Sequence, residues 1–230
     1  MSIVGIHQPN FMPWIGYFKK ISESDKFIFL DSVKCSKNSY FNRNKFSTSK
    51  KFDNSFWLSC PIKKDSYKKN LSDVVSSSEF LQKHVRHLKM RHSKTKESEY
   101  FKEIIETYSK FSANDHFKVA DFNIEIIKLT CSFLDIKTKF FLSSSIDHDQ
   151  SKSKQLLLIE LIKRLEGKKY MSGTGAKAYQ QDDLFLKESI NLQYCKNVKN
   201  KSILINEENV SMIDLILHFG LDKCKKMILA

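Results

Sequence analysis

Two apolar runs lie near the start of the chain, residues 2–6 (SIVGI) and 26–30 (KFIFL). Each has the length of a buried strand, and a polar residue closes each, His7 and Asp31. Between them Trp14, Phe18 and Ile21 recur at helical spacing, and Pro13 suits a first helical turn. The stretch 32–51 carries Lys34, Lys37, Arg43, Lys45, Lys50 and Lys51 among Asn and Ser, which predicts a loop with some extended structure. A strand follows at 56–62. Amphipathic periods then predict helices at 79–91, 100–111 and 120–134. Strands at 139–142 (KFFL), 168–171 (KKYM) and 191–194 alternate with helices at 153–165 and 182–188. Helix 210–219 is stopped by Gly220, and a short helix ends the chain.

Strand, helix and strand in alternation at both ends imply an α/β fold with a largely parallel sheet and flanking helices. Residues 63–118 read as a helical insertion in a single domain spanning 1–230. The low count of 6 Gly and 3 Pro leaves no linker to divide the chain. No apolar run approaches the ~20 residues of a membrane span, and the N-terminus lacks the basic-then-apolar pattern of a signal peptide.

Charge changes this picture more than composition does. With 39 Lys+Arg against 26 Asp+Glu the formal charge is +13, which favours an anionic partner or reflects a Lys-rich soluble surface. The 5 cysteines (Cys35, Cys60, Cys131, Cys195, Cys224) are odd in number and form no CxxC pair, so a reducing cytoplasm is the simpler reading. His84, His87 and His92 have no acidic or thiol residue within their segment to complete a metal site. They lie among Arg86, Lys89, Arg91 and Lys94, as a basic helix face does.

In a parallel sheet, ligands bind beyond the carboxyl ends of the strands. Four predicted strands end in polar groups: His7-Gln8-Pro9-Asn10, Asp31, Ser143-Ser144 and Ser172-Gly173-Thr174-Gly175. If the strands are parallel, these groups share one edge. His7 is the candidate general base, with Asp31 to orient it through a ring nitrogen. The small residues at 172–175 allow close approach of a phosphate, with a helix beginning just beyond, although the full nucleotide-binding motifs are absent. Arg43 with Lys37, Asn42 and Asn44 suits phosphate or carboxylate recognition. Cys35 beside Lys34 and Lys37 is a weaker nucleophile candidate. Asp214 and His218 make an i,i+4 pair on the penultimate helix.

HQPNFMPWIGYFKKISESDKFIFLDSVKCSKNSYFNRNKF (7–46), YMSGTGAKAY (170–179) and SMIDLILHFG (211–220) resemble the motifs of the WbqC-like family. The resemblance covers nearly the whole chain. It singles out His7, Gln8, Pro9, Asn10, Trp14, Gly16, Tyr17, Asp31, Lys37, Asn42, Arg43, Asn44, Ser172, Gly173, Gly175, Tyr179 and Asp214. Cys35 stands where an aromatic is usual, His218 where Asn is, and Ser32 where a second Asp is common. Cys35 is therefore not carried over as a nucleophile, and no metal role is carried over to 31–32.

The family belongs to bacterial surface-polysaccharide and O-antigen clusters. The resemblance implies transfer of an acyl or aminoacyl group to the amine of a nucleotide-linked amino sugar. The donor would be a coenzyme A thioester or an acyl group on an acidic carrier protein, which the charge of +13 would help to dock. The donor is a co-substrate, and no tightly bound cofactor is expected. Gln8, Asn10, Trp14, Lys37, Asn42, Arg43, Asn44, Ser172, Gly173, Gly175 and Tyr179 would bind substrate, with Asp214 supporting them. A nucleotidyl-transfer enzyme of the same pathway is the alternative, although such enzymes usually show two His in their first motif. A nucleic-acid-binding module using 83–96 is a third reading, opposed by the absence of a recognised motif.

Overall fold

The computed structural model describes residues 2–47, 54–91, 98–149, 151–195 and 210–229. Lys50, Lys51, His92 and Lys94 lie outside these described residues.

The first apolar run forms β1 (Ile3–His7), and the Trp14/Phe18/Ile21 stripe forms α1 (Ile15–Ser22), which returns the chain to β2 (Lys26–Phe29) beside β1. The polar segment expected as a loop with some extended structure contains β3 (Arg43–Ser47), which pairs antiparallel with β4 (Ser55–Ser59). In its sequence RNKFS only Phe46 is apolar, so the strand shows no alternation to read; it exists because β4 supplies the ladder. A two-stranded ribbon of β5 (Val75–Ser77) and a later β6 brackets α2 (Glu79–Arg91) and α3 (Glu99–Phe111), with β6 at His116–Lys118. Its strands are three residues each, too short to carry a period.

The chain continues through α4 (Val119–Phe133), β7 (Lys139–Leu142), α5 (Lys154–Arg164), β8 (Lys169–Ser172), α6 (Asp182–Lys187) and β9 (Asn191–Tyr194). It ends in α7 (Met212–Phe219) and α8 (Leu221–Leu229). Gly220 separates these two helices with φ +84°, a value that favours glycine.

β7, β2, β1, β8 and β9 lie in that order and are parallel at every pairing. The fold is α/β, as the alternation of elements predicts. Numbered along the chain, the five strands stand 3-2-1-4-5, so the connections reverse direction between β1 and β8. Phe27 and Phe29 pack with α1, α4 and α8 on one face, while Val4, Ile6 and Ile28 pack with α5 on the other. Leu81, Leu88, Tyr100 and Tyr108 of the insertion join the first of these cores. These four side chains thus share one core with that face of the sheet.

Candidate functional site

The loop after β1 is tied down carbonyl by carbonyl. The Tyr17 hydroxyl donates to Gln8 O at 2.9 Å, and Asn123 Nδ2 donates to Pro9 O at 2.8 Å. Asn44 Nδ2 donates to Met12 O, and Met212 N donates to Pro13 O at 2.8 Å. Met12 sits at φ +44°, a strained value for its side chain that these anchors hold in place. Trp14 lies over the start of α1 because residue 16 is glycine; a Cβ there would stand 3.1 Å from the indole Nε1.

This rigid loop presents His7, half-buried with its ring edge-on to Tyr17 at 4.9 Å and Trp14 at 6.1 Å. His7 Nδ1 lies 3.2 Å from Gln8 O. That carbonyl can only accept, so Nδ1 carries the proton and Nε2 the lone pair. Asn10 Nδ2 is 3.5 Å from the same Nδ1, at the limit of a contact. Burial, with Lys20 nearby, holds His7 down to about 3, so the ring is neutral.

Beside His7 the sheet opens. β1 pairs with β2 as far as His7, but its ladder with β8 ends at Gly5 opposite Met171. Continued by one step, the Ile6 carbonyl would accept from the Gly173 N–H. Lys20 Nζ takes that carbonyl instead, donating at 2.6 Å. The Gly173 N–H is thereby released from the ladder. The gap lies at the reversal of strand order, where open α/β sheets bind ligands.

Two glycines line its β8 side. A Cβ at Gly173 or Gly175 would meet nothing within 4 Å, and Gly173 has φ −77°. The fold places no demand for glycine there, as expected of a surface that a ligand approaches closely. The turn leads into a 3-10 turn, Thr174–Ala176, and α6 begins only at Asp182, so the helix expected just beyond Gly175 is not formed. Ser172 Oγ donates to Gln180 Oε1 at 2.7 Å, and Tyr179 is exposed.

From His7 an aromatic path leads outward. Trp14 lies 4.9 Å from Tyr40, Tyr40 5.6 Å from Trp57, and the Arg43 guanidinium stacks 4.4 Å from the Trp57 ring. Arg43 Nη2 donates to Asn38 O at 3.0 Å, but Arg43 Nε is buried and has no hydrogen-bond partner. Such a donor is costly to leave unpaired. Trp57 is 43% exposed. Tyr40, Trp57 and Lys20 carry no mark in the sequence that points to a site. An exposed tryptophan across a hairpin from Arg43 becomes legible only once the β3–β4 register is known.

The four polar strand ends do share one edge, yet they separate into two groups. Asp31 does not orient His7. Its carboxylate turns away from β1 toward β7, accepting from Ser143 Oγ and Ser144 N at 2.9 Å and from Ser144 Oγ at 2.6 Å. Ser143 Oγ in turn accepts from the N–H groups of Asp31 and Ser32. This network clamps the ends of β2 and β7 together.

Among the other predicted residues, Asn42 and Asn44 hold backbone: Asn42 Nδ2 donates to Cys60 O at 2.9 Å, and Asn44 serves Met12 as above. Asp214 Oδ2 accepts from Ser47 N at 2.8 Å, joining α7 to the end of β3. Lys37 is exposed over the Tyr67 ring, outside the Trp14–Trp57 path. Gln8 is half-buried at the head of the loop. Cys35 is buried and its thiol pushed up by desolvation, the opposite of an activated nucleophile. His84 is not on a basic face: it is buried with Nδ1 2.6 Å from the Tyr108 hydroxyl, and desolvation holds it at about 3. Among the described residues no cluster of His, Cys, Asp and Glu forms a metal site, and no helix is long and apolar enough to cross a membrane.

Comparison with known proteins agrees with the motifs. The WbqC-like protein family matches residues 8–226. The chain is 26% identical over 227 residues to the uncharacterized protein Rv1507c of Mycobacterium tuberculosis, covering 96% of this chain and 95% of that one. No solved structure matches it.

Proposed function

The chain belongs to the WbqC-like protein family, and from that premise we propose that it transfers an acyl or aminoacyl group to the amine of a nucleotide-linked amino sugar. The observation that carries this reading is the gap between β1 and β8, with neutral His7 at its mouth and an aromatic path to the unpaired Nε of Arg43. A nucleotide-linked sugar offers what these groups bind: rings for Trp14, Tyr40 and Trp57, and phosphate oxygens for Arg43 and the 172–175 turn.

In this mechanism the His7 Nε2 lone pair accepts a hydrogen bond from the neutral acceptor amine and aligns it. The amine nitrogen attacks the thioester carbonyl, forming the C–N bond. Collapse of the tetrahedral intermediate breaks the C–S bond, and the amine's proton leaves with the thiol. A base held at about 3 aligns a proton better than it keeps one, so His7 contributes chiefly by position. A carrier-protein donor suits the net charge of +13.

The test is a panel of nucleotide-linked sugars with and without an amine, each offered with an acyl coenzyme A and with an acylated carrier protein, and products read by mass. We expect an N-acylated product from the amino sugars alone, and its loss in His7→Ala. Full turnover in His7→Ala would refute the role of His7. The strand order equally favours a nucleotidyl-transfer reading of the same gap, which predicts pyrophosphate release and no acylated product. Binding of DNA alone, with a steep salt slope, would refute both.

A further inference from the structure

Lys20 has no part in the mechanism above, yet its side chain caps the carbonyl just beyond the last pair of the β1–β8 ladder. It is 4% exposed, donates from Nζ to Ile6 O at 2.6 Å and stands 5.7 Å from the Tyr170 ring centroid. An ammonium group has three donors, and no carboxylate pairs with Lys20 among the described residues. A lysine whose only task was to cap Ile6 O would place a buried charge there at considerable cost. The neighbouring Gly173 N–H, which that same carbonyl would have accepted, is left out of the ladder, and residue 173 presents no side chain to block it.

We propose that Lys20 Nζ and the Gly173 N–H form an anion subsite at the floor of the gap between β1 and β8, taking oxygen atoms of a diphosphate. The subsite deepens the nucleotide-sugar reading and rests on it for the identity of the anion.

The subsite has a protonic signature. Burial holds free Lys20 at about 7, below the ordinary lysine value of 10.5. An anion beside it favours the charged form. At pH 8 the free amine is mostly neutral and the occupied one charged, so binding takes up a proton; at pH 5.5 both are charged and no uptake occurs. The groups facing Lys20 are His7 on β1, Tyr170 on β8 and Cys195 after β9, with Lys19 on α1 and Glu23 just after it near the Cys195 thiol. Burial holds His7 at about 3 and lifts Tyr170 and Cys195 to about 12, so these three keep their protonation through this range.

The experiment is calorimetric titration of the intact protein with dimethyl pyrophosphate, one methyl ester on each phosphate so that its remaining acid groups stay ionised throughout, at pH 8 and pH 5.5, each in two buffers of different ionisation enthalpy. We expect uptake of more than half a proton at pH 8 and almost none at pH 5.5. Lys20→Met should abolish the uptake and weaken binding at least tenfold. If that variant does not fold, carbamylation of the wild-type protein by cyanate at pH 8, mapped by mass, replaces it, with Lys20 modified unless the diester protects it. Absence of diester binding, binding without uptake, uptake surviving in Lys20→Met, or Lys20 labelling absent or unprotected would each overturn the subsite. Diester binding with proton uptake but no binding of any nucleotide-linked amino sugar would leave the subsite standing and refute the transferase reading. A nucleotide-linked amino sugar that binds and is acylated without proton uptake would sink the subsite alone.

Discussion

Replacing Asp31 by Ala separates a structural clamp from a catalytic orienter. The carboxylate is 3% exposed and accepts three hydrogen bonds, two of them on Oδ1 from Ser143 Oγ and Ser144 N, and one on Oδ2 from Ser144 Oγ. Hydrogen bonds to a charged group contribute about 1.5–3 kcal/mol each when buried. Ser144 is exposed, so water replaces part of what it loses. Ser143 is wholly buried, and its hydroxyl loses the carboxylate and keeps only Ser32 Oγ, 2.8 Å away, as an acceptor. The net loss should be about 3–5 kcal/mol for Asp31→Ala. Asp31→Asn keeps an acceptor at the Oδ1 position and should lose only about 1–2 kcal/mol. Urea unfolding followed by tryptophan fluorescence measures both. The tautomer of His7, read from its ring nitrogen shifts, should be the same in both variants as in the wild type. Variants as stable as wild type, together with a changed His7 tautomer, would refute the clamp and restore Asp31 as the orienter.

Other consequences are open to measurement. His7 and His84 are both held at about 3 against an ordinary 6.5, so the unfolded chain binds two protons that the native state refuses. Stability therefore rises with pH between those values and falls on acidification through 6.5; going from pH 7 to pH 5 should cost about 3–4 kcal/mol, seen as a lower urea midpoint. Gly173→Ala should leave stability equal or slightly raised, because φ is −77° and the added methyl meets nothing, while weakening dimethyl pyrophosphate binding by calorimetry. Trp57→Ala should leave the unfolding midpoint within about 0.5 kcal/mol of wild type, since the ring is 43% exposed. It should weaken nucleotide-sugar binding by about 1–3 kcal/mol through lost stacking. Unchanged affinity would remove the aromatic path from the site.

The strands with continuous apolar runs were legible because a buried parallel strand needs little beyond its own side chains; KFIF and KFFL fall where their composition puts them. Polar residues closing those runs located the functional edge for the same local reason. The sequence by itself thus determined the five strands of the main sheet, the amphipathic helices, the parallel class and the edge where chemistry collects. It did not determine which polar groups meet. Asp31 and His7 follow adjacent strands, yet Asp31 bonds to Ser143 and Ser144, residues 112 and 113 positions away. Lys20 follows Lys19 on one helix with nothing local to mark it. It becomes a candidate receptor because the β1–β8 ladder stops one pair short of Ile6, leaving a carbonyl and an N–H that no longer reach each other. Side-chain identity is local, but burial and hydrogen-bond partnership depend on how distant strands are registered, and that was decided by the tertiary structure alone.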